Sequence, residues 1–427
     1  MSKPSLRSRL HTAPLLKQLG PGLITGAADD DPSGIATYSQ GGAQFGFNLL
    51  WTMLLTFPLM AAIQMVSALV GRVTGRGLAY NMGQVLPRPL ALGLLALLFI
   101  ANTINVGADL AAMGEVANLI TGLNQHAFTI FFALLSLGLQ LFIPYRKYAR
   151  FLMVLTFSLF AYVAIMFLLP LDWAQIGAGL IGLHPNLTES AATTIVAIFG
   201  TTISPYLFFW QSAQEVEEVN QNKAEHPLIE RPREGPAAIN RIRIDTIAGM
   251  LASNLVALAI MIATAATLHA HGFTNINTAA DAAKALEPIA GEFAFGLFAI
   301  GIIGTGLLAI PVLAGSAGYA VAEAAGWKTG LDRMPWQARG FYSVIGAAVL
   351  LGLGIDWSLI DPIKALYWSA VLNGVIAVPM MAALMMVASS RRRMGKFRAG
   401  WVLGGLGWLC TAIMAAAAVT MLYVNLS

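Results

Sequence analysis

The sequence predicts an all-α integral membrane fold of eleven transmembrane helices, built as two five-helix repeats of opposite sense with one helix appended. Three observations lead there. Of the 427 residues, 57% are apolar and 11% charged, and several apolar runs exceed the roughly 20 residues that cross a bilayer core. Lysine and arginine concentrate in alternate connections. Two of the predicted spans, the first and the sixth, are interrupted in mid-membrane by Gly, Pro and polar side chains.

The spans fall at roughly 18–46, 48–71, 89–121, 126–144, 149–170, 190–214, 242–268, 289–325, 339–356, 362–388 and 399–424. With the N-terminus inside, the arm and the five connections that follow spans 2, 4, 6, 8 and 10 hold 23 of the 25 basic residues; only Lys284 and Lys364 fall outside. One transmembrane domain over 1–427 follows, with a cytoplasmic arm 1–17, a first repeat 18–170, a second repeat 190–388 and an extra helix 399–424. The arm (Lys3, Arg7, Arg9, Lys17) shows no short apolar core with a small-residue cleavage site and reads as retained. The expected location is a bacterial inner membrane, with the C-terminus outside. The connection from Gln214 to Asn240 mixes Glu215, Glu217 and Glu218 with basic residues and three prolines, and reads as a mobile solvated loop. Asp281 to Glu287 reads as a short amphipathic helix, and Asn186-Leu187-Thr188 is a short, common sequon of little weight.

The first break is Asp29-Asp30-Asp31-Pro32-Ser33-Gly34. Each acid at mid-membrane depth costs about 2.5–3.5 kcal/mol on translocon scales, so the acids call for a function. Pro32 and Gly34 interrupt helical bonding beside them and free backbone carbonyls. The second break is Gly200-Thr201-Thr202-Ile203-Ser204-Pro205-Tyr206. Either break alone reads equally well as an ordinary membrane kink. Their places, first in each set of five, change that reading. Five is odd, so the second set crosses in the opposite sense. Paired interrupted helices in inverted repeats point to a midplane binding site, and a carboxylate there favours a cation.

At these breaks the chain resembles the Nramp (natural resistance-associated macrophage protein) family of divalent-metal transporters. Gly20-Pro21-Gly22, Asp31-Pro32-Ser33-Gly34 and Gly42-Ala43-Gln44-Phe45-Gly46 match that family's Gly-Pro-Gly, Asp-Pro-Gly-Asn and Gly-Ala-Gln-Phe-Gly in register. Gly71 to Ala79 resembles its segment after helix two, and Ala108-Asp109-Leu110-Ala111 its Thr-Asp-Leu-Ala. Gly200 to Tyr206 stands where the family has Gly-Ala-Thr-Val-Met-Pro-His. The resemblance implies a LeuT-like five-plus-five inverted repeat and a metal site at Asp31, Gly34, Thr201 and Ser204. Of these, Asp31 also reads as the cap of a broken helix, and Ser and Thr also bond their own backbone. Asp29, Asp30, Asp109, Glu115, Tyr206 and Asn373 are candidates for the ion pathway or a proton relay; pairing within the bundle is the plain alternative for the acids. Glu323 reads as snorkelling or paired.

The departures carry the selectivity expectation. The family's Asn is Gly34, its Met is Ser204, its Ala is Thr201, its His is Tyr206, and one acid in span three is Ala112. A thioether favours transition metals, and its replacement by a hydroxyl leaves hard oxygen donors. Mg²⁺ keeps its waters and is held by one or two carboxylates. This pattern resembles the Nramp-related magnesium transporters, so the expectation is largely hydrated Mg²⁺, with Mn²⁺ also accepted. The missing His and acid point to uncoupled passage. The alternatives are a proton-coupled Mn²⁺/Fe²⁺ importer of the ordinary family type, or a carrier of an organic substrate on the same fold. Three acids at the break disfavour an anionic organic substrate.

Other classes are disfavoured. The basic residues follow membrane topology, so nucleic-acid binding is not expected. A receptor or scaffold would call for a soluble output domain, which the span pattern leaves no room for. No nucleophile–base pair shares one depth, so an enzyme is not expected, and no cofactor is implied beyond the transported ion. The expected partners are that ion and the lipid bilayer, with no obligatory protein partner. The six histidines fall in loops or at span ends, and the single cysteine, Cys410, excludes an intrachain disulfide and a Cys-based metal cluster.

Overall fold

Proline, glycine and capping side chains divide the chain into helices where the sequence places its breaks. The computed structural model describes residues 21–143, 154, 157–182, 188–222, 225–357 and 361–426. The arm 1–17, Gly20, most of 149–156 in the fifth span, Asn186-Leu187 of the sequon, His11 and His184 lie outside the described residues.

The first span is two helices, α1 (Pro21–Asp29) and α2 (Pro32–Phe45). Pro32 occupies the first turn of α2, where its missing N–H costs nothing, and Asp31 is the N-cap. Then come α3 (Trp51–Thr74), the short α4 (Leu78–Met82), α5 (Arg88–Thr121) and α6 (Gln125–Phe142). Left-handed Gly75 ends α3 and left-handed Gly122 ends α5. Next are α7 (Phe160–Leu168), in the fifth span, and α8 (Trp173–Ile181). The sixth span is α9 (Glu189–Thr202) and α10 (Pro205–Gln221). The chain continues through α11 (Gly235–Thr267), α12 (Ala279–Ala283), α13 (Ala294–Ala324), α14 (Arg339–Gly352), α15 (Pro362–Ser389) and α16 (Trp401–Leu426). Among the described residues, nine helical stretches are long and apolar enough to cross a membrane.

Both broken spans sit at the centre. α1 and α2 pack on α11, α9 on α15, and α10 on α3 and α13, while α5 runs between α13 and α15. Small residues allow the approach. A Cβ on Gly26 would stand 2.3 Å from the Gly249 carbonyl oxygen, and one on Gly200 would stand 2.1 Å from that of Ala370. Close backbone packing replaces the hydrophobic drive that lipid does not supply.

Two expectations need correction. The segment after span six is shorter than expected and, among its described residues, partly packed against the bundle rather than a fully solvated loop. α10 runs two turns past the expected end at 214, and α11 begins at Gly235 rather than 242. Within it Leu228 is fully buried, and the Leu228 and Ile229 amides donate to the Arg72 and Val73 carbonyls at 3.2 Å. Several of the charges that suggested solvation are paired. Glu215, with a buried side chain, meets Arg241 at 2.5 Å, Arg72 meets Glu225 at 2.5 Å, and Glu217 accepts from the Leu331 amide at 2.8 Å. The second correction is α8, absent from the span pattern. Asp172 caps it through the Ala174 and Gln175 amides, and its Gly179 abuts the Phe47 backbone. A helix does appear at Ala279–Ala283, where the short amphipathic one was expected. Glu323 accepts from the Tyr80 amide at the start of α4.

Candidate ion site at the two helix breaks

Each break leaves helix-end carbonyls without intrahelical partners. The C-termini of α1 and α9, which carry partial negative charge, converge there and favour a cation. The N-termini of α2 and α10 face the same place, and Asp31 caps the first of them.

Asp31 is 1% exposed and uses both carboxylate oxygens. Oδ1 accepts from the Gly34 amide (2.8 Å) and the Ser33 hydroxyl (2.7 Å). Oδ2 accepts from the Asn105 amide (2.9 Å) and the Tyr206 hydroxyl (3.3 Å). The cap and ligand readings of Asp31 are therefore not exclusive: one oxygen closes α2 while the other faces across the bundle. Ser369 on α15 donates to Asn105 Oδ1 at 2.6 Å and fixes the amide so that its N–H₂ points at the carboxylate.

Gly34 and Thr201 meet here. A Cβ on Gly34 would stand 3.1 Å from Thr201 Oγ1 and 3.5 Å from the Asp29 carbonyl oxygen. The absent side chain lets one oxygen from each break, together with the Tyr38 ring, pack closely on the Gly34 backbone. Thr201 Oγ1 is buried and has no hydrogen-bond partner. Tyr206 also lies 3.4 Å from the Ala28 carbonyl at the end of α1. Asn373 is buried with both amide atoms unpartnered, one turn beyond Ser369, and its neighbour Gly374 packs on Gly200.

Other candidates stand apart. The Ser204 hydroxyl turns back to the Gly200 and Thr201 carbonyls, both at 2.8 Å, so it satisfies its own helix end. Asp29 and Asp30 converge on the Ser253 hydroxyl of α11, at 2.7 and 3.0 Å. Asp109 lies one turn past Asn105 on the same face of α5, buried, with neither oxygen hydrogen-bonded. Glu115 lies near the far end of α5 and accepts from the Ala279 amide at 3.1 Å.

Sequence reasoning missed Asn105, Ser369 and Ser253. A signal existed for the first: Asn102, Asn105 and Asp109 recur at three and four residues in an apolar span, one polar helix face. Ser369 and Ser253 are single hydroxyls whose partners come from distant helices. Among the described residues no group of three His, Cys, Asp or Glu side chains is placed to hold a metal. A cation at Asp31 would draw on that carboxylate with hydroxyl and backbone carbonyl oxygens, a hard donor set.

Broken helices around a buried carboxylate belong to a class of membrane transporters, and the fold agrees. The chain superimposes on Mhp1, a nucleobase-cation-symport-1 family transporter in a closed conformation, with a TM-score of 0.60 at 14% identity, covering 95% of this chain and 92% of that one. It is thus structurally related to the LeuT-fold transporters. A mutant of the Eremococcus coleocola manganese transporter gives a TM-score of 0.77 at 18% identity over 98% of this chain and 88% of that chain.

Residues 22–424 match the family described as natural resistance-associated macrophage protein-like, and the chain belongs to that family. Among its relatives is the divalent metal cation transporter MntH of Deinococcus radiodurans, 26% identical over 415 residues, 94% of this chain and 88% of that protein. The MntH of Yersinia pestis is 29% identical over 304 residues, 68% of this chain and 69% of that protein. The family is one of transporters rather than enzymes.

Proposed function

We propose that this protein carries divalent metal cations, Mn²⁺ foremost, across a bacterial inner membrane by alternating access at the two helix breaks. The observation that carries the reading is Asp31. A buried carboxylate at the junction of two interrupted helices bonds the Gly34 amide, close to an unpartnered Thr201 hydroxyl from the other break. A negative charge in such surroundings is stabilised best by a cation that passes through. Relatives named as divalent metal cation transporters, and a structural neighbour named a manganese transporter, favour Mn²⁺ over the Mg²⁺ preference expected from the missing thioether.

Hydrated Mg²⁺ is the second reading, on one observation. Ser204 and Tyr206 stand where the family carries Met and His, and carboxylate and carbonyl donors suit Mg²⁺ and Mn²⁺ alike. In this proposal the repeats 18–170 and 190–388 move against each other with the N-terminus cytoplasmic. Passage is uncoupled and driven by the membrane potential, worth about 4.6 kcal/mol for a divalent ion at 100 mV. Tyr206 and Ala112 in place of the family's His and acid support that part.

The test is ion flux into proteoliposomes with Mn²⁺, Mg²⁺ and Ca²⁺ in competition, alongside an internal pH dye. Mn²⁺ uptake inhibited weakly by Mg²⁺, without acidification, is the expected result. Absence of Mn²⁺ and Mg²⁺ flux refutes the transport reading, strong Mg²⁺ inhibition selects the second one, and acidification that follows Mn²⁺ refutes the uncoupled part.

A further inference from the structure

Away from the ion site, a cavity of about 800 Å³ opens between α5, α13 and α14. Its lining is mainly apolar, Leu92, Phe99, Val321 and Val344 among it, with Ser343 polar and with Arg88 and Trp327 beside the helix ends that form the mouth. The mouth lies where α5 begins, α13 ends and α14 begins, the membrane face that carries the basic connections. From Arg88 to Ile100, the deepest lining residue of α5, the groove runs about 18 Å at 1.5 Å per residue. That is close to half of a hydrocarbon core of about 30 Å, the depth of one leaflet.

We propose that this groove binds an anionic glycerophospholipid, one acyl chain lying between α5 and α14 and the phosphate on Arg88. The charge at the mouth fits. Lys328 and Arg339 flank the lining residues Trp327 and Gly340, and from Ala324 to Ser343 the acid Asp332 stands against three basic residues. Among the described residues neither Arg88, Lys328 nor Arg339 forms an ion pair, as holds for most of the basic ones, so their charge is open to a headgroup. Basic pockets between helices at this face bind anionic headgroups. Trp327, half exposed, lies against Gly340, where a Cβ would come within 2.3 Å of its ring. An amphipathic indole at the mouth suits the headgroup boundary.

Native mass spectrometry of the purified full chain, titrated with phosphatidylglycerol or phosphatidylcholine, tests the proposal. The wild type should hold phosphatidylglycerol in preference. Arg88→Gln should reduce that preference about fivefold, the effect of one basic residue near a membrane surface. Ala347→Trp, which fills the groove, should remove the bound lipid, and Arg392→Gln, a basic residue outside the lining, should change nothing. Competition by inorganic phosphate alone would show a free-anion site and overturn the lipid assignment, as would equal binding by wild type and both groove variants. A map of the wild type in phosphatidylglycerol nanodiscs needs no variant: acyl density between α5 and α14 supports the proposal, and an empty groove overturns it.

Discussion

Replacing Asp31 by Asn separates the charge of the site from its architecture; replacing it by Ala does not. Asp31→Ala strips the cap of α2, at about 1 kcal/mol. It also leaves the Ser33 hydroxyl and the Asn105 amide without their acceptor in buried surroundings, at about 1–3 kcal/mol each. A loss of several kcal/mol is a large part of a typical stability of 5–15 kcal/mol, so lost flux would report damage as readily as lost charge. An asparagine keeps the cap, because its oxygen accepts from Gly34 and Ser33 as the carboxylate does. Its new N–H₂ would face that of Asn105, and reversal of the Asn105 amide resolves the clash. Ser369, which also reaches the Leu366 carbonyl at 2.7 Å, can then accept from the reversed amide while donating to that carbonyl. Stability should therefore change by about 1 kcal/mol or less, a melting shift of no more than about 4 °C. The ion should respond far more. A divalent cation 4 Å from a carboxylate gains about 8 kcal/mol gross at an effective dielectric constant near 20. If dehydration cancels three quarters, the remaining 2 kcal/mol is about 30-fold in affinity. Half-saturation of Mn²⁺ flux in proteoliposomes, measured beside thermal unfolding in detergent, reads both quantities. A variant that melts like the wild type and keeps its half-saturation within about threefold would refute the assignment of Asp31.

The hydrogen-bond lengths at Asp31 rank its two Oδ2 donors. Asn105→Ala removes the shorter bond, at 2.9 Å, and should raise half-saturation about tenfold, whereas Tyr206→Phe removes the 3.3 Å bond and should change it less than about threefold; equal effects in the flux assay would contradict the ranking. Because the Ser204 hydroxyl faces its own helix, Ser204→Ala should leave the Mn²⁺/Mg²⁺ flux ratio within about twofold. Ser204→Met with Gly34→Asn introduces a thioether and should shift that ratio towards Mn²⁺; an unchanged ratio in competition flux would refute the selectivity argument. Glu215→Ala leaves Arg241 largely buried and unpaired and should cost about 3 kcal/mol. Glu215→Met with Arg241→Met should recover most of it in thermal unfolding, and a double variant no better than the single would show that the pair is not coupled.

Local chemistry made much of the fold legible. Apolar runs of bilayer length, basic residues in alternate connections, and Pro beside Gly and hydroxyl residues are each written in a few consecutive residues, so both breaks appeared where the structure has them. Asp31 stood out because a carboxylate beside a helix break at membrane depth needs a reason, whereas Gly34 and Thr201 entered the site only through the family resemblance. Tertiary structure decided what a linear reading leaves open, namely which groups partner which. It turned the Ser204 hydroxyl onto its own helix end, placed Asp29 and Asp30 on Ser253, and brought Asn105 and Ser369 to Asp31 from positions 74 and 338 residues along the chain. It also drew both ends of the charged segment after span six into helices joined by an ion pair, since Glu215 gains Arg241 only when α10 and α11 pack. A polar group in an apolar interior must find a partner, and the sequence states that need locally. The partner comes from whichever helix packs alongside, which only the assembled bundle determines.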